Sequence, residues 1–134
     1  MIKTKLLVVV IALLIFSSCK PKPIQREALL GKWRYVKVEN PNSHPPDSVS
    51  ATELEMESPY IKFSKNDSMM IWWGGKVLSH GTYKLDGSNI QVREILDSGK
   101  TRNFPFFVSK LTDKDLIFET SGEEGTKVTA VRVH

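Results

Sequence analysis

The chain has a single cysteine among 134 residues, so no internal disulfide and no thiolate metal cluster can be built. Only three histidines occur, His44, His80 and His134, and no two of them stand at a ligand spacing. No apolar run approaches the length of a membrane-spanning helix; the longest, Leu6–Phe16, has eleven residues. Charge of one sign is also scarce. The formal net charge is +4, and no basic stripe interleaved with aromatic residues appears, which argues against nucleic acid as a partner. No serine sits in a nucleophile-elbow context. Glu53, Glu55 and Glu57 read as solvated loop charges rather than an acid–base pair. These absences predict no enzyme, no metal and no cofactor.

What is present begins at the N-terminus. Lys3 and Lys5 precede the apolar run, and Ser17-Ser18-Cys19 follows it. A basic start, a short apolar stretch and small residues at a cut describe a secretory signal over residues 1–18. Its removal takes Lys3 and Lys5, leaving 17 basic against 15 acidic side chains in 116 residues (134 less 18), one domain's worth. A lone thiol in an exported chain needs a role. Phe16-Ser17-Ser18-Cys19 resembles a lipobox, the site read by the lipoprotein signal peptidase. That resemblance implies a diacylglycerol thioether on Cys19, an acyl chain such as palmitate on its amine, and anchoring in a membrane. Residues 19–23, with Pro21 and Pro23 alternating with lysines, predict a stiff tether. No acidic cluster follows Cys19. Surface-exported lipoproteins of Bacteroidetes carry one, so the resemblance points to an outer membrane, facing the periplasm.

From residue 24 onward the sequence reads as short β segments parted by turn residues. The segments are Trp33–Glu39, Tyr60–Ser64, Ser68–Trp73, Lys76–Leu85, Asn89–Leu96, Lys100–Leu111, Asp115–Thr120 and Thr126–Val133. Breaks such as Gly74-Gly75 and Asp86-Gly87-Ser88 favour tight reversals. From Tyr60 onward no break has room for a crossover helix, so those consecutive strands pair antiparallel. Alternation gives each strand one apolar face, as in Val77, Gly81, Tyr83 and Leu85 against Lys76, His80 and Lys84. Pro41, Pro45 and Pro46 break the stretch Asn40–Ser58, within which Ala51–Glu57 predicts a short helical turn. Pro105 belongs at a bulge, an edge or a strand start, because it cannot donate to a ladder.

Leu30-Gly31-Lys32-Trp33, after the helical lead-in Ile24–Leu30 and at the start of an eight-stranded meander, resembles the lipocalins, and more closely the small lipocalin-like lipoproteins of Bacteroidetes. The resemblance implies an all-β, eight-stranded antiparallel up-and-down barrel over residues 24–134. It further implies that Gly31 lets the chain pass close to the barrel floor, that Trp33 plugs that floor, and that Arg132 lies over the indole.

Two functions follow as expectations. One is non-covalent binding of a small apolar ligand, up to a fatty-acid-sized tail, with Trp33, Phe63, Ile71, Trp72, Tyr83 and Phe118 as candidate lining. The other is a structural or inhibitor-like role toward a protein partner, through Asn40–Ser58 or the Trp72-Trp73 edge. Met69–Trp73 is apolar on both faces, which fits either a cavity wall or a strand covered on both sides. Asp47-Ser48-Val49 and Asp67-Ser68-Met69 resemble the O-glycosylation sites of exported Bacteroidetes proteins, making Ser48 and Ser68 candidate sites.

Overall fold

Eleven elements follow one another along the chain: α1 (Arg26–Leu29), β1 (Gly31–Asn40), β2 (Asp47–Ser48), α2 (Ala51–Glu57), β3 (Tyr60–Phe63), β4 (Ser68–Trp73), β5 (Lys76–Asp86), β6 (Asn89–Ile95), β7 (Thr101–Leu111), β8 (Asp115–Glu119) and β9 (Lys127–Val133). The computed structural model describes residues 23–122 and 125–134. The expected leader, Cys19 and the tether as far as Lys22 lie outside the described residues.

The turn chemistry sets the order of the sheet. Gly74 and Gly75 have φ of +60° and +81°, and they join Trp73 to Lys76, which face each other across the hairpin. Two successive positive φ values match the twist of the flanking strands, and glycine adopts them without steric cost. Every neighbouring pair from β3 to β9 is antiparallel, β1 pairs β3, and β9 returns to β1. The eight strands other than β2 therefore close into a barrel. Closure leaves no edge, which is what a small one-sided sheet needs. The two residues of β2 add a short ribbon on the end of β1, pairing Glu39 with Ser48 and Asn40 with Asp47.

Helix α2 forms where expected. The Ser50 hydroxyl accepts from the Glu53 N–H at 3.1 Å, and Ser58, at φ +45°, ends the helix in a left-handed turn. It lies beside β1, with the Gly74 N–H donating to the Glu57 carbonyl at 3.0 Å.

Three bulges interrupt the ladder, between Tyr35 and Lys37, opposite the Ile71–Trp72 step in β5, and between Val108 and Lys110. An extra residue re-phases which side chains point inward. In β1 the inward set is Trp33 and Tyr35, then Val38. In β5 the bulge takes Val77 out of the face it was expected to share with Gly81 and Tyr83: it stands opposite Trp72 and is 46% exposed. Pro105 faces Gln91 within Thr101–Phe106, a stretch beside which β8 is not paired. β7 is thus paired on one side only there, a place that tolerates proline.

Candidate functional site

The two ends of the barrel differ. At the end where β1 begins, the interior is solid. Leu29, Trp33, Ile61, Phe63, Met69, Ile90 and Leu116 are all at most 1% exposed. Trp33 donates from Nε1 to the Leu29 carbonyl at 2.9 Å, which ties the lead-in helix across the floor. Arg132, opposite Trp33 in the β1–β9 ladder, holds its guanidinium 4.2 Å from the indole centre. It donates to the carbonyls of Leu30 at 2.7 Å, Ala28 at 2.5 Å and Asp113 at 2.9 Å. Those carbonyls end α1 and the β7–β8 connection, so one cation satisfies groups that burial would otherwise strand. Gly31 has φ +122°, and a Cβ there would stand 3.1 Å from Arg132 Nη1. Gly31, Trp33 and Arg132 thus meet at one closed end.

At the opposite end the barrel is open above this floor. A cavity of about 300 Å³ lies there, walled by Tyr35, Val38, Ile71, Trp73, Phe106, Phe118 and Val128, with Leu78, Asn40, Thr120 and Thr126 toward its mouth. The aromatic walls brace each other. Tyr35 makes edge contacts with Trp73 at 6.4 Å and Phe118 at 6.2 Å, and Phe118 packs on Phe106 at 4.6 Å. Pairs in these orientations add to the gain from area burial and hold ring positions. Burial pushes the Tyr35 hydroxyl far above the usual phenol range. Other troughs lie outside the barrel: one runs over the polar faces of Thr82, Lys84, Gln91 and Arg93, and another, with Ile24, Val108 and Leu111 in its lining, lies beside α1 at the closed end.

A polar cluster occupies the inner wall of β5–β7. Glu94, 8% exposed, receives a hydrogen bond from the Ser79 hydroxyl and an ion pair from Arg102 at 2.7 Å. Arg102 also lies 5.4 Å from the Phe104 ring centre. The carboxylate is therefore held by its own neighbours.

The residues singled out from sequence fall in different places. Ile71 and Phe118 line the cavity. Trp33, Phe63 and Tyr83 do not; they fill the packed floor, where Phe63 meets Tyr83 edge-on at 5.1 Å and the Tyr83 hydroxyl donates to the Ser64 carbonyl at 3.1 Å. Trp72 points outward and stacks on Tyr60 at 5.9 Å, with Lys32 Nζ 4.0 Å from the Tyr60 ring centre. Its neighbour Trp73 takes the inward position. Adjacent residues of a strand face opposite sides, so Ile71 and Trp72 cannot share one wall; the alternation Met69, Ile71, Trp73 carried the signal. Tyr35, Val38, Phe106 and Val128 went unassigned, although each has strand alternation behind it. Ser48 is exposed, and the half-buried Ser68 donates to Asn66 Oδ1 at 2.6 Å. Cys19 lies outside the described residues.

Neither a protein-family model nor a curated protein matches the chain. Solved structures do. A lipocalin-like protein from Bacteroides uniformis ATCC 8492 superposes with a TM-score of 0.57 at 21% identity, covering 79% of this chain and 99% of that one. An uncharacterized protein from Bacteroides eggerthii DSM 20697 superposes with a TM-score of 0.54 at 20% identity, covering 78% of this chain and 99% of that one. With the closed barrel, its floor tryptophan and its covering arginine, these likenesses establish that the fold is lipocalin-like.

Proposed function

We propose that this protein is a membrane-anchored lipocalin-like lipoprotein of the periplasm that binds a small, mainly apolar molecule without chemically changing it. The observation that carries the reading is the aromatic-walled space of about 300 Å³ above a solid floor. That volume sits at the lower end of the range for ligand pockets. A ring or an aliphatic tail, or the part of a longer molecule that enters the barrel, is of a size with this space. Tyr35 is the one ionisable side chain in the lining. Binding rather than acid–base catalysis suits such a wall.

The anchor of the proposal is Cys19, with its lipobox-like context. Ile24, five residues on, donates its N–H to the Gly87 carbonyl at 2.9 Å, at the closed end. Five residues span at most about 18 Å. A lipid on Cys19 would hold the closed end toward the membrane and leave the cavity mouth toward the aqueous side. A partner that delivers or takes up the ligand would then meet the mouth, where Met56, Val77 and Leu78 are 77%, 46% and 65% exposed.

The test is a titration of residues 20–134 with ethylbenzene, followed by backbone amide NMR shifts. Saturable shifts around Tyr35, Trp73 and Val128, with a Kd on the order of 0.1–1 mM, are expected. Ile71→Trp should fill the cavity and abolish them, while Trp72→Ala should not. A folded domain with no saturable shifts would end the cavity reading.

A further inference from the structure

Of the residues with polar side chains on the cavity wall, Tyr35 is the most deeply buried. Tyr35 is 5% exposed and lines the cavity. Burial raises its pKa above the ordinary phenol value. Among the described residues the hydroxyl has no hydrogen-bond partner, whereas the other buried tyrosine, Tyr83, donates to the Ser64 carbonyl at 3.1 Å. Among the described residues no side-chain polar atom sealed from solvent goes without a partner, so this hydroxyl opens on the cavity, where water or a ligand supplies its hydrogen bond. The ring cannot swing away to find one, because Trp73 and Phe118 flank it edge-on.

The remaining lining restricts what that partner can be. Apart from Tyr35, the cavity is lined by Val38, Ile71, Trp73, Phe106, Phe118 and other residues without ionisable groups. The nearby interior charge, Glu94, is already engaged by Ser79 and Arg102. A carboxylate or ammonium group taken into this space would lose its hydration with no countercharge, a cost that one phenol hydrogen bond does not offset.

Resting on the ligand-binding reading above, we propose that the cavity selects an uncharged molecule with a ring or short aliphatic body and one hydrogen-bonding oxygen or nitrogen, which seats on the Tyr35 hydroxyl. The rings of Trp73, Phe106 and Phe118 enclose the apolar body. Asn40, Thr120 and Thr126 stand at the mouth, so any further polar substituent of the ligand points outward.

Three probes of one body separate the elements of the proposal: ethylbenzene, 2-phenylethanol and phenylacetate, titrated at neutral pH against wild-type residues 20–134 and Tyr35→Phe. In the wild type, phenylacetate should bind at least tenfold more weakly than 2-phenylethanol. Tyr35→Phe should weaken 2-phenylethanol about fivefold, the range expected for one hydrogen bond, and leave ethylbenzene within about twofold. The phenylalanine keeps the ring and removes an unpaired group, so the variant should fold. If Tyr35→Phe affects the two neutral probes alike, or phenylacetate binds as tightly as the alcohol, the polar-anchor proposal is overturned while the cavity reading stands. If ethylbenzene itself fails to bind, both fall.

Discussion

Arg132 and Trp33 face each other across the β1–β9 seam, with the guanidinium 4.2 Å from the indole centre and its N–H groups on the carbonyls of Ala28 and Leu30. The pair joins the first strand, the last strand and the lead-in helix at one point. Closure of the barrel and capping of its floor are thus the same interaction.

Removing that cation should be costly for two reasons. The stacking is worth about 0.5–2 kcal/mol, and the carbonyls of Ala28, Leu30 and Asp113 lose a charged donor. Arg132→Met should lower the unfolding free energy by about 2–4 kcal/mol in urea melts. Arg132→Lys should recover less than half, because an ammonium cannot span three carbonyls in a plane. A loss under about 0.5 kcal/mol for the methionine variant would show that the seam closes without it.

Gly31 and Gly87 make a paired test of the same corner. Both have positive φ, +122° and +59°, but only Gly31 has a neighbour in the path of a Cβ, Arg132 Nη1 at 3.1 Å. Alanine at Gly87 enters a left-handed region open to solvent and should cost about 1 kcal/mol. Alanine at Gly31 must adopt a conformation that is nearly glycine-only and also crowd the guanidinium, so about 2–3 kcal/mol is expected. Equal losses in thermal melts would mean that the close approach at Gly31 carries no strain.

Alkaline pH should find the buried tyrosines. Burial raises Tyr35 well above its ordinary 10.0, and Tyr83 is raised as well, chiefly by burial and opposed by the nearby Arg26 guanidinium. The unfolded chain therefore releases these protons first. The stability they contribute is fully present below pH 10 and is lost as pH climbs toward their folded-state values. Urea midpoints should fall steeply from about pH 10 upward, and Tyr35→Phe should flatten that fall. At neutral pH the same variant should stay within about 1 kcal/mol of wild type, since the hydroxyl it removes bonds no protein group. An unchanged alkaline slope would mean that Tyr35 ionises freely in the folded protein.

Lipidation of Cys19 is open to direct labelling. Cells given a clickable palmitate should label the wild-type protein and not Cys19→Ala, and detergent should be needed to extract only the former. Two or more acyl chains make such anchoring stable, whereas one is marginal. Equal labelling of both proteins would remove the anchor.

Much of the architecture was legible along the chain because it is locally encoded. Gly74-Gly75 dictates a tight reversal whatever lies above it, and Ser50 caps α2 through its own third neighbour. From β3 onward the breaks are too short for crossovers, so the antiparallel order there follows from chain length; the β1–β3 connection, which holds β2 and α2, is not fixed in that way. Gly31 and Trp33 were readable for a related reason: the strand start, the glycine and the tryptophan lie within three residues of one another. Their partner Arg132 came from the family resemblance.

The cavity was a different matter. Its wall draws on six strands, and each contribution depends on phase. The bulge between Tyr35 and Lys37 resets the inward face of β1, and the one in β5 turns Val77 outward. Bulges arise from the closure of the whole sheet, so no window of sequence announces them. Strand alternation could place Trp73 inward, but whether Phe63 and Tyr83 fill the interior or border a space depends on the summed volumes of side chains far apart in sequence. The chain by itself determined the order of the strands and how they turn. Only the closed barrel decided which rings wall the cavity, and that the Tyr35 hydroxyl would face it with no protein partner.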